Sequence, residues 1–284
     1  MASQQPKVLL FDMGGVCVAS PFQVILDYES SLGIPFGWIN FSISKSAPNG
    51  SWHRLERGEI TVDESFFRGF NRDLHDASLW NVFYENEQAK NPKLPRGIPP
   101  LPTLHGEWLF NEMMSKSHAP DPWMYPALQK LRKSGRYILG ALSNTVIFPP
   151  SHQFHTPDFF KHPLRALFDV FISSAHVGVR KPDPRIYQLT VTMLDKFARD
   201  NASSPRGQLL EWQEGIRPRD IVFFDDIGEN LRAAKRQGFQ TFKVNLGKAH
   251  EAVEELERIT GLNLAGGHPE TSTKPPGSGP PAKI

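Results

Sequence analysis

Cysteine is nearly absent: Cys17 stands alone among 284 residues. One thiol excludes an internal disulfide and a cysteine-rich zinc site. No apolar run reaches 18 residues, so no membrane-spanning helix is expected. The opening MASQQPKVLLFD lacks a basic stretch followed by an apolar one, and no secretory leader is expected. Neither sign of charge dominates, with 32 Lys and Arg against 30 Asp and Glu, and no basic stripe interleaves with aromatics. That balance argues against nucleic acid as a partner. Together these absences predict a reduced, cytoplasmic setting with neither membrane nor nucleic acid involved.

Apolar residues make up 39% of the chain, enough for a true core, and the length is that of about two domains at roughly 150 residues each. Short apolar runs read as buried strands: Val8 to Phe11, Tyr137 to Leu142, Val170 to Ser173, Ile221 to Phe224 and Phe239 to Val244. Helical patterns lie between the later ones. Pro126 to Lys133 stops at Gly135, Pro184 to Leu194 opens on a proline suited to a first turn, and Asn230 to Gln237 stops at Gly238. Such alternation predicts an α/β fold, a Rossmann-like parallel sheet with helices on both faces.

Residues 20–119 break that alternation. Helical pieces run from Phe22 to Ser31 and from Asn49 to Arg57, and a third follows Thr61-Val62-Asp63-Glu64, whose spacing is that of a capping box with Thr61 at the cap. Asn91 to Pro102 holds five prolines and is expected to be a loop. The reading is a core of residues 1–19 and 120–264, a helical cap at 20–119 inserted after the first strand, and a disordered Gly/Pro/Ser-rich tail at 265–284. Val146 to Pro163 and Arg199 to Pro218 are expected to be surface excursions.

Four clusters could carry chemistry, and three of them follow predicted strands, where open parallel sheets bind ligands. They are Asp12-Met13-Gly14-Gly15, Ser143-Asn144-Thr145, Arg180-Lys181-Pro182-Asp183 and Asp225-Asp226. Each has an ordinary alternative alone: Asp12 as a turn former, Ser143-Asn144-Thr145 as a helix cap, Lys181-Pro182-Asp183-Pro184 as a rigid turn. Asp225-Asp226 is the hardest to dismiss, because adjacent carboxylates repel unless a cation neutralises them. Magnesium, which prefers oxygen ligands, is the natural one. A carboxylate nucleophile, neutral hydrogen bonders, a fixed cation and a metal site are the parts phosphoryl transfer needs.

FDMGGV, LSNT, RKPDPRIY and FFDDIGEN, in that order, resemble the four motifs of the haloacid dehalogenase-like hydrolase superfamily. The nearest branch is the one containing the N-terminal phosphatase domain of soluble epoxide hydrolases. The resemblance spans Lys7 to Val244 and includes a cap-like stretch from Trp52 to Phe70. It implies Asp12 as the nucleophile, with Lys181 as the basic residue beside it. It also implies Ser143, Asn144, Lys181 and Gly15 as substrate-binding, and Asp12, Gly14, Asp226 and Asp225 around Mg²⁺. The implied activity is a Mg²⁺-dependent phosphatase acting on a small phosphorylated substrate through an aspartyl-phosphate.

One position departs from the pattern. Phosphatases of this superfamily usually carry a second Asp, as general acid and base, where this chain has Gly14, and losing such a group typically costs about 10²–10⁴ in rate. Two other readings stay open: a non-catalytic protein that binds a phosphorylated ligand or another protein, and a metal-independent 2-haloacid dehalogenase. Epoxide hydrolysis is not implied, since in those relatives it belongs to a separate domain. His152, His155 and His162 have metal-like spacing but no acidic or cysteine partner nearby. Cys17 reads as a small buried hydrophobe. Trp38, Trp52, Trp80 and Trp108 read as cap packing, one of them a candidate for the substrate entrance. Substrate identity and oligomeric state have no sequence signal.

Overall fold

A computed structural model describes residues 5–265. Apart from Ala265, the expected tail lies outside the described residues. The strands are β1 (Val8–Phe11), β2 (Ile138–Ser143), β3 (Val170–Ser173), β4 (Ile221–Asp225) and β5 (Gln240–Lys243). All pair in parallel, in the order β3-β2-β1-β4-β5. Six helices follow β1: α1 (Phe22–Ser31), α2 (Trp38–Lys45), α3 (Ser51–Glu56), α4 (Glu64–Leu74), α5 (Ala77–Lys90) and α6 (Gly106–Lys116). The remainder are α7 (Met124–Ser134), α8 (Ser174–Val177), α9 (Pro184–Asp200), α10 (Pro205–Leu209), α11 (Gly228–Arg236) and α12 (Ala249–Thr260).

The period of two along a strand sends alternate side chains to opposite faces. Leu9 and Phe11 of β1 join Leu128 and Leu131 of α7 and Val253 and Leu256 of α12 on one side of the sheet. Val8 and Leu10 join Ile186 and Leu194 of α9 and Leu231 of α11 on the other. Both faces are covered, which is why β1 and the first four residues of β4 are buried apolar runs rather than alternating ones. This is the expected Rossmann-like α/β sheet. The chain leaves β1 toward β2 and β3, then returns to β4 on the other side of β1. That reversal makes the C-terminal ends of β1 and β4 the topological switch point, where such sheets bind ligands.

Helices α1–α6 build a third apolar cluster, dominated by Trp38, Phe66, Phe70, Trp80, Phe83 and Phe110. Trp80 meets Trp38 edge-on at 5.2 Å between ring centres, and Phe66 stacks on Phe70 at 5.7 Å. The cluster reaches the sheet side of the molecule through Glu56, whose carboxylate accepts from Arg180 Nε at 2.5 Å and whose carbonyl accepts from Ser174 Oγ at 2.6 Å. Beside that contact Gly58, with φ +66°, lies against the Ala175 carbonyl so closely that a Cβ would overlap it.

Several local expectations are corrected. The cap of α4 is Asp63, not Thr61: the Asp63 carboxylate accepts from Phe66 N at 2.9 Å, and Thr61 Oγ1 donates to Asp63 instead. A carboxylate outcompetes a hydroxyl for the positive end of a helix. The stretch from Arg199 to Pro218 is not merely superficial, because Trp212 within it is buried against Phe197, with ring centres 5.6 Å apart. Nor is Val146 to Pro163: Val146 and Phe148 pack on the cluster of α1–α6. The proline-rich segment 91–102 is free of helix and strand, as its five prolines require. Among the described residues no helix is long and apolar enough to cross a membrane.

Candidate active site

Asp12 follows β1 directly and is 6% exposed. Its Oδ1 accepts from Met13 N at 2.7 Å and faces Lys181 Nζ at 2.9 Å. Lys181 arrives from the loop before α9, wholly buried, and its ammonium reaches Asp225 Oδ2 at 2.7 Å on the far side. A buried ammonium without partners would shed its proton. Held between two carboxylates, Lys181 instead has its pKa raised: burial alone would lower it, and the pull of Asp12 and Asp225 more than offsets that.

Asp225 and Asp226 are neighbours with different tasks. Asp225, at the end of β4, accepts four hydrogen bonds: from Ile227 N at 2.7 Å and Asn230 Nδ2 at 3.1 Å on Oδ1, and from Lys181 and Asn230 on Oδ2. Those occupy the acceptor directions a carboxylate has. It therefore anchors Lys181 rather than offering a free ligand oxygen. Asp226 is partly exposed, and its Oδ2 lies against Gly15. Burial, with the charges of Asp12 and Asp225, pushes its pKa up to about 8. Burial likewise raises Asp12 to about 7, against the opposing pull of Lys181.

Asp12, Asp225 and Asp226 offer carboxylate oxygens within 4.8 Å of one another, and among the described residues they are the one group of three or more His, Cys, Asp or Glu able to share an ion. With all three ionised, the carboxylates carry two negative charges beyond what the one ammonium offsets, a surplus that fits one divalent cation with hard oxygen ligands. The free ligand oxygens are those of Asp12 and Asp226. Gly15 makes this possible: a Cβ there would overlap Asp226 Oδ2, and its φ is +74°.

The other predicted site residues take the following places. Asn144 uses its side-chain amide on the peptide of Lys181: Lys181 N donates to Oδ1 at 2.8 Å and Nδ2 donates to the Lys181 carbonyl at 3.1 Å. Ser143, buried at the end of β2, donates to the Asn144 carbonyl at 3.3 Å. Gly15 does not present a free amide to substrate, because its N–H donates to the Val18 carbonyl at 3.0 Å. A Cβ on Gly14 would meet only Pro21 Cδ, at an ordinary 3.7 Å.

A cavity of about 380 Å³ opens on Met13, Gly14, Ser143 and Asn144. Trp52 lines it, whereas Trp38 and Trp80 are buried in packing and Trp108 is half exposed. His155 and His162 also line it, but with His152 they form no metal-binding group. Cys17 is buried.

No family model matches the chain. "Acyl-CoA dehydrogenase family member 10" of Mus musculus is 28% identical over 93% of this chain and 20% of its own length. "Bifunctional epoxide hydrolase 2" of Sus scrofa is 27% identical over 98% of this chain and 42% of its own. The chain thus spans less than half of either relative. "Phosphatase MT3486" of Mycobacterium tuberculosis is 26% identical over 51% of this chain and 55% of its own length. The epoxide hydrolase relative extends along nearly the whole chain, and the four motifs meet at one sheet end. The chain resembles the haloacid dehalogenase-like hydrolases.

Asn230, Ser173 and His176 contribute to this site and were not singled out from sequence. Asn230 stood inside the quoted fourth motif, so a signal existed; its amide donates to both oxygens of Asp225. Thr145 Oγ1, Ser173 Oγ and His176 Nδ1 form a hydrogen-bonded row, at 2.5 and 2.7 Å, along one cavity wall. Of that row only Thr145 stood in a cluster read from sequence; no local pattern marks Ser173 and His176, which come from the end of another strand.

Proposed function

We propose that this haloacid dehalogenase-like hydrolase is a Mg²⁺-dependent phosphomonoester phosphatase working through an aspartyl-phosphate on Asp12. The observation that carries the proposal is the buried ammonium of Lys181, fixed between Asp12 and Asp225 while Asp226 has a raised pKa and no ion-pair partner among the described residues. A relative named as a phosphatase is consistent with it.

In this reading an Asp12 carboxylate oxygen attacks phosphorus and the ester P–O bond breaks, the leaving oxygen taking up a proton. Water then attacks the phosphorus of the aspartyl-phosphate, freeing inorganic phosphate and the Asp12 carboxylate. Lys181 meets the negative charge spread over the phosphoryl oxygens and opposes the protonation of Asp12 that burial favours. Asn144 and Asp225 hold Lys181 from its backbone and its head. Asp12 and Asp226, with the Gly14 carbonyl, would hold Mg²⁺, which supplies charge neutralisation for the phosphoryl group. Residues 20–119 act as the cap over the core of residues 1–19 and 120–264.

Gly14 leaves no carboxylic acid beside the nucleophile to protonate the leaving group. The enzyme therefore favours substrates whose leaving oxygen departs easily. The test is phosphate release from a panel of phosphomonoesters with and without Mg²⁺, comparing wild type with Asp12→Asn. Absence of Mg²⁺-dependent release, or equal release from both proteins, rejects the proposal. Halide release from a 2-haloacid with all metal chelated would favour the dehalogenase reading, which leaves the surplus negative charge of Asp225 and Asp226 without a use.

A further inference from the structure

Arg165 lies on the wall of the cavity that begins at Gly14 and Ser143. Its guanidinium stacks over the Phe159 ring, 3.7 Å from the centre, and Nη1 donates to the Phe159 carbonyl at 2.8 Å. No carboxylate among the described residues pairs with it, although seventeen other ion pairs are formed. Glu56, the one carboxylate on the cavity wall, is already bound to Arg180. Burial pushes the Arg165 pKa down to about 10. A guanidinium has five N–H donors in a flat fork, and one of them is taken here.

A half-buried cation without a counter-ion costs folding free energy, and the stacking on Phe159 recovers only part of it. Its position answers why it is kept. The stack and the single backbone bond fix the plane of the fork on the wall of a cavity that also opens on Met13 and Gly14, directly after Asp12 in the chain, and on Ser143 and Asn144. Trp52, Met114, Phe148, Phe154 and Phe171 give the wall an apolar share, beside polar residues such as Thr145, His155 and His162. At about 380 Å³ the space falls in the range of small-molecule sites, roughly 300–1,000 Å³.

Building on the phosphatase reading above, we infer that the substrate is a phosphomonoester carrying a second anionic group on an apolar or aromatic spacer, and that Arg165 binds that second anion. A carboxylate matches the fork as a planar bidentate acceptor, and a second phosphate offers the same chemistry. Arg165 is thus a specificity residue at the end of the cavity away from the reacting phosphorus.

The pair 3-(4-phosphooxyphenyl)propanoate and its primary amide tests this. The two share a leaving group, because the carboxyl is insulated from the ring, and differ in the remote charge. Wild type is expected to turn over the acid at least about tenfold better than the amide in kcat/KM, with the ratio falling to about one in Arg165→Met and lying between in Arg165→Lys. The corresponding phosphonates, titrated calorimetrically with Mg²⁺ into the same three proteins, read the same preference in affinity without needing turnover. An analogue with a phosphonate in place of the carboxylate tells the two anions apart by which binds tighter; both support the inference. Equal treatment of acid and amide by wild type, or a preference that persists unchanged in Arg165→Met, overturns it. If Arg165→Met does not fold, Arg165→Lys and the wild-type ratio still decide. Failure of the phosphatase reading is distinct: neither ester is cleaved, while the phosphonate affinities still report on Arg165.

Discussion

The side-chain amide of Asn144 clasps the backbone of Lys181 from both sides, accepting from its N–H at 2.8 Å and donating to its carbonyl at 3.1 Å. Two loops, after β2 and before α9, are joined by that pair, and the buried ammonium stands where it does because of it. Asn144 is therefore a positioning residue for Lys181. Supporting contacts of this kind typically cost about 10–100-fold when removed.

Asn144→Ala should accordingly lower kcat by about 10–100-fold, the usual range for such supporting contacts, while leaving Mg²⁺ affinity close to wild type. Asn144→Asp should be worse, because an acceptor-only carboxylate oxygen would replace the Nδ2 donor facing the Lys181 carbonyl. Steady-state kinetics with calorimetric Mg²⁺ titration separate the two effects. Equal losses of kcat and Mg²⁺ affinity would mean that Asn144 belongs to the metal site instead.

Gly14 can accept a side chain: its Cβ would make one ordinary contact, and its φ is not in the left-handed region. Gly14→Asp should therefore fold and supply the missing proton donor. The gain is expected to be on the order of 10²-fold in kcat/KM for alkyl phosphates and much smaller for nitrophenyl phosphate, whose leaving group needs no proton. A uniform change across both substrates would show that proton transfer to the leaving group is not limiting.

The raised pKa values of Asp12, about 7, and Asp226, about 8, tie stability to pH and metal. Both shifts are upward, so the folded chain holds protons that the unfolded chain has released above about pH 4. Without metal, stability should fall as pH rises from about 5 to about 8, on the order of 5 °C in Tm, and Mg²⁺ should restore it. Asp226→Asn should flatten the metal-free decline and abolish the Mg²⁺ effect. The lowered pKa of His53, about 4, acts with opposite sign but is common to both proteins, so the difference between them isolates Asp226. Thermal melts across pH, with and without Mg²⁺, check this.

The sheet and the meeting of four motifs were legible because they rest on short-range signals: buried apolar runs, the proline opening α9, the glycine ending α7, and polar residues directly after strands. What escaped notice depends on where distant segments meet. Asp225 and Asp226 look equivalent in sequence, yet Asp225 is buried against Lys181 and Asn230 while Asp226 is partly exposed beside Gly15. Gly15 reads as a substrate contact until Val18 is seen to take its amide, leaving closeness to Asp226 as its use. Arg165 carries no local signal at all. Only the folded chain shows that no carboxylate among the described residues pairs with it, the nearby Glu56 being bound to Arg180.

The most direct measurement traps the covalent intermediate. A reaction with an activated phosphomonoester and Mg²⁺ is quenched in mid-turnover, reduced with borohydride, digested and mapped by mass spectrometry. An acyl phosphate is reduced to the alcohol, so Asp12 should be recovered in part as homoserine, and only when substrate and Mg²⁺ are both present. Conversion at Asp226 instead, or turnover with no residue converted, would contradict the assignment of Asp12 as the nucleophile.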